Sequence, residues 1–70
     1  MSEYKQYRRK GYSEMTPWDH STDMFGVSIS DADLGNGSPK KGDMIARNLK
    51  DHSDRWLVAE KYFLENFEPV

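Results

Sequence analysis

Seventy residues with no cysteine confine the chain to one small domain, without disulfides or thiolate-held metal. Hydrophobic residues make up 36%, aromatic residues 13% and charged residues 31%, which is too ring-rich for a disordered chain and enough for a small aromatic core. No apolar stretch nears the ~18 residues of a membrane span, the polar start is not expected to be a signal peptide, and no membrane partner is expected.

The net charge of −2 is unevenly spread: Glu3 against Lys5, Arg8, Arg9 and Lys10 gives residues 1–12 a balance of +3 and leaves −5 for the rest. Residues 1–10 read as a basic, flexible arm ahead of a single domain over 11–70. Tyr4 and Tyr7 sit among the cations of that arm, a mixture that suits nucleic acid, with cations on phosphates and rings on bases. In an otherwise acidic chain, a solubilising arm or an edge strand is the preferred reading.

Tyr12, Met15 and Trp18 follow with no clean period, and Pro17 pushes Thr16 toward extended backbone, so an edge strand is expected to end there. Residues 19–24 read as loop. Phe25, Val27 and Ile29 alternate with small or polar residues, the pattern of a half-buried strand with those three facing inward. Ser30 is placed to cap a helical turn over Asp31–Leu34. Gly35–Pro39 is the strongest break in the chain.

Met44–Arg47 and Trp56–Val58 read as two strands of an antiparallel hairpin, joined by the polar connector Asn48–Asp54. From Ala59 the period lengthens: Ala59, Phe63 and Phe67 recur at helical spacing, Glu60 suits a helix start, and Glu68-Pro69 ends the helix. These elements predict an α+β fold, a small antiparallel sheet of 3–4 strands with one C-terminal helix, which self-association can supplement.

No catalytic or ligand constellation emerges. Asp31-x-Asp33-x-Gly35 resembles the start of a calcium loop, but the glycine and glutamate that such a loop needs at its sixth and twelfth positions are here Asn36 and Gly42. Asp51-His52-Ser53-Asp54 holds the residue types of a nucleophilic triad. A triad, however, needs groups converging from separate elements, not neighbours on one loop. With His20 and His52 the only histidines, a solvated polar loop is expected, and no enzyme, metal or cofactor. Trp56, Tyr62, Phe63 and Phe67 read as core, although so small a body cannot hide every ring. The candidate partner contacts are Arg8, Arg9, Lys10, Tyr12 and Trp18, since Trp, Tyr and Arg dominate binding hot spots.

Tyr7-Arg-Arg-Lys10, Met15-x-Pro-Trp18, Gly26-Val-Ser-Ile-Ser30, Gly37-Ser-Pro39, Gly42-Asp-Met-Ile-Ala-Arg-Asn48, Asp54-x-Trp-Leu-Val58 and Tyr62-Phe with Asn66-Phe-Glu68 together resemble a group of small proteins of tailed bacteriophages and prophages. The match spans nearly the whole chain, departing at Leu49, where relatives are expected to carry proline. The resemblance implies a non-enzymatic accessory protein in the bacterial host cytoplasm. Such a protein would bind and modulate a host component, with nucleic acid held through residues 4–10 as the alternative. It transfers no catalytic residue or cofactor.

Overall fold

The hairpin expected near the C-terminus lies in the middle of the sheet. The computed structural model describes residues 4–9 and 11–69, so Lys10 falls outside the described residues. In chain order the elements are β1 (Lys5–Arg8), β2 (Tyr12–Pro17), β3 (Val27–Ser28), α1 (Asp31–Gly35), β4 (Met44–Arg47), β5 (Arg55–Val58), α2 (Glu60–Asn66) and β6 (Glu68–Pro69).

The expected 3–4 antiparallel strands become, among the described residues, one mixed sheet of six in the order β3-β5-β4-β2-β1-β6. The shortfall has a physical cause. β6 is two residues long, too short for any period to register. In β1 only Tyr7 is part-buried, so alternation has a single apolar point to rest on. Residues 5–8, expected within the arm, thus pair with β2 on one side, while Tyr7 and Arg8 meet β6 on the other. β2, expected at an edge, is interior, with Met15 opposite both Lys5 and Ala46. β3 departs from the antiparallel rule by running parallel to β5.

Directly paired residues share a face, which sorts the core. On the front, Met15, Met44, Ala46 and Val58 form the buried cluster, and Tyr7, Phe63 and Phe67 pack against it. Phe63 meets Tyr7 edge-on at 5.0 Å and stacks on Phe67 at 6.1 Å. The Phe63/Phe67 spacing read from the sequence therefore docks α2 on the front of the sheet. On the back, Thr16, Ile45 and Leu57 are buried. Asp23, Phe25 and Gly26, in the link from β2 to β3, share a cleft with Arg47 and Arg55 of that face.

Phe25 corrects another expectation. It is 88% exposed rather than inward-facing. The Val27 amide donates to the Met24 carbonyl at 3.1 Å and Gly26 sits at φ +75°, so Phe25 and Gly26 form the middle of a tight turn of the type that needs glycine third. The turn breaks the period just before the strand begins. Ser30 does cap α1, its hydroxyl accepting from the Asp33 amide at 3.2 Å.

Asp43 ties the two halves together. It is wholly buried. Its carboxylate accepts from the Ser38 hydroxyl at 2.7 Å, the Lys40 amide at 3.0 Å and the Glu60 amide at 3.0 Å. Ala59 at the start of α2 offers no side-chain cap, so a carboxylate from the residue just before β4 satisfies an otherwise orphan helix amide. Gly42, just before Asp43, turns the chain at φ +101°, a backbone conformation that favours glycine.

Candidate functional site

Those of the expected partner contacts that lie among the described residues do not converge. Arg8 and Tyr12 are opposite each other near the β1–β2 turn, on the face away from Tyr7. Arg8 is exposed and its Nε donates to Glu68 at 2.9 Å. Tyr12 is exposed. Arg9, just past β1, turns to the front, where its guanidinium lies 5.4 Å from the centre of the Tyr62 ring. Lys10 lies outside the described residues. Trp18 is past the far end of β2, its amide donating to the Asp43 carbonyl at 2.9 Å and its ring edge-on to His20 at 4.9 Å.

A groove on the front face unites residues that the sequence reading had assigned to the core. It encloses about 400 Å³ between β5, α2 and α1. Met15, Val58 and Phe67 line its apolar side, Trp56 and Tyr62 its walls, and Arg9 and Asp33 its rims. Trp56 is 37% and Tyr62 44% exposed. That not every ring could be hidden was expected; which rings stay open is set by the fold, since β5 carries Trp56 and Val58 forward while Leu57 is buried behind. Tyr62 was legible in principle, being next to Phe63 and so turned off the helix's inward stripe.

The back-face cleft, about 450 Å³, holds Tyr4, Phe25, Arg47, His52 and Arg55. Its guanidinium groups already have partners. Arg47 donates to Glu14 at 2.7 Å and lies 4.2 Å from the Tyr4 ring centre. Arg55 donates to the Phe25 carbonyl at 2.7 Å. An incoming anion would have to displace these contacts.

The Asp51–Asp54 segment forms the polar connector of the hairpin. Asp51 accepts from the Ser53 hydroxyl at 2.6 Å and the Ser53 amide at 3.0 Å, and Asn48 donates to Asp54 at 3.2 Å. The Ser53 hydroxyl, then its amide, hold the Asp51 carboxyl below the usual aspartate value, and Ser21 does the same for Asp19. A folded-state value below the unfolded one favours the fold above the usual aspartate range, and that contribution is lost as pH falls through the lowered value. A carboxyl-carbon NMR titration should give Asp51 a low midpoint that Ser53→Ala moves up toward the usual one; an unmoved midpoint would refute the assignment. Among the described residues no group of three or more His, Asp or Glu is placed to hold a metal ion.

A scan against protein-family models, a search of curated proteins and a search of solved structures each find no match to the chain.

Proposed function

We propose that the chain is a non-enzymatic binding protein of the phage-accessory kind its sequence resembles, acting in the host cytoplasm by occupying a surface of a host protein through the Trp56–Tyr62 groove. One observation carries this reading: two large amphipathic rings remain 37% and 44% exposed around a concavity instead of closing over it. Trp, Tyr and Arg at a partly formed pocket are the residues that dominate interface energetics when a partner completes the burial. Nucleic acid held through residues 4–10 is the second reading, and it would have to draw Arg8 from Glu68 and Arg9 from Tyr62.

Native co-purification from host lysate tests the proposal. Wild type and Trp18→Ala are expected to retain the same partner, while Trp56→Ala and Tyr62→Ala, checked for native circular dichroism, lose it. A partner held equally by all four proteins would remove the groove from the interface.

A further inference from the structure

Resting on that reading, we propose that the groove takes a cationic side chain, arginine or lysine, from a basic segment of the partner protein, and that Arg9 of this chain is its intramolecular competitor. The walls come first. Trp56 and Tyr62 both line the groove; aromatic ring faces carry a negative quadrupole, and Trp is the strongest cation–π platform. A guanidinium already uses this chemistry here, since Arg9 lies 5.4 Å from the Tyr62 centroid.

The rim supplies a counter-charge. Asp33 is half-buried at the groove. Its backbone is fixed in α1, with its amide on Ser30 and its carbonyl accepting from Asn36 and Ser38, while its carboxylate has no hydrogen-bond or ion-pair partner among the described residues. Opposite charges in a partly desolvated cleft attract more strongly than in open water.

The floor and the wider field agree. Met15, Val58 and Phe67 give an apolar bed for the methylene stem of a long cationic side chain. A cavity of about 400 Å³ is at the small end of ligand pockets and suits a side chain rather than a cofactor. Beyond residues 1–12 the chain carries −5, which steers basic partners toward it. An acidic side chain would find Arg9 but would also meet the Asp33 carboxylate.

The test uses the full chain carrying Trp18→Phe, so that Trp56 is the only remaining indole. Short peptides alternating glycine with arginine, glutamate or serine are titrated while Trp56 emission is followed. The arginine peptide is expected to bind, the glutamate and serine peptides to bind far more weakly. Asp33→Asn and Tyr62→Leu should each weaken the arginine peptide roughly fivefold, the scale of one cation–π or partly screened charge contact. Arg9→Ala should tighten it by a similar factor, which a purely structural role for Arg9 would not do. Preference for the glutamate or serine peptide, an arginine peptide indifferent to both Asp33→Asn and Arg9→Ala, or no response to any peptide would overturn the proposal. If Trp56→Ala still abolishes partner capture in that event, the groove remains the interface and only its cationic occupant falls.

Discussion

Asp43→Ala is expected to leave the protein largely unfolded at physiological temperature. The carboxylate is wholly buried and accepts from Ser38, Lys40 and Glu60. Removing it leaves the buried Ser38 hydroxyl and the part-buried Lys40 and Glu60 amides without their acceptor, each at up to roughly 1–3 kcal/mol. Even with strong non-additivity the loss is about 4 kcal/mol. A domain of this length has a total stability of roughly 4–10 kcal/mol, so the substitution removes much or all of it. Asp43→Asn should fall between: its amide oxygen can accept from Glu60, but its NH₂ group faces the Lys40 amide donor to donor. Ser38→Ala should cost only about 1 kcal/mol, since the carboxylate keeps its two amide donors. Urea denaturation measures all three. An Asp43→Ala unfolding free energy within about 1 kcal/mol of wild type would refute the role assigned to Asp43.

The importance of Asp43 also shows what could and could not be read from the sequence. Elements whose signal is local were legible: the β4–β5 hairpin from two short apolar runs, α2 from the Phe63/Phe67 spacing, and the Ser30 cap from one hydroxyl ahead of acids. Asp43 was visible only as an acid following a turn, because its partner Glu60 lies 17 residues away and tertiary folding alone brings them together. Phe25 misled for a different reason. Alternation is a necessary mark of a strand, but Gly26 at positive φ turns the chain before the strand starts. In the groove, Arg9 and Tyr62 were read respectively as arm cation and core ring. Neither assignment contained the 5.4 Å contact between them, since only the fold sets β1 close to α2.

Deletion of residues 1–9 is the experiment on which an arm and a strand differ most, and it is expected to abolish cooperative folding. A basic arm could be removed with little change in stability. Here β1 lies between β2 and β6, so deletion leaves β2 as an open edge, removes the pairing of β6, and exposes a strand carrying the buried Met15. Such an edge invites association between chains. Deletion also takes Tyr7, whose ring meets Phe63 edge-on at 5.0 Å and links the N-terminal strand to α2. Tyr7→Ala alone should cost about 2–3 kcal/mol, less than the 3–5 kcal/mol typical of a fully buried aromatic because Tyr7 is only half-buried. Arg8→Ala is the control. Its ion pair with Glu68 is more than half exposed on both sides, and such pairs contribute roughly 0–1 kcal/mol, so its melt should nearly overlay wild type. The ranking deletion, then Tyr7→Ala, then Arg8→Ala follows from hydrophobic packing and strand pairing outweighing surface charge. A deletion variant that melts with wild-type midpoint and cooperativity would return residues 1–9 to the status of an arm.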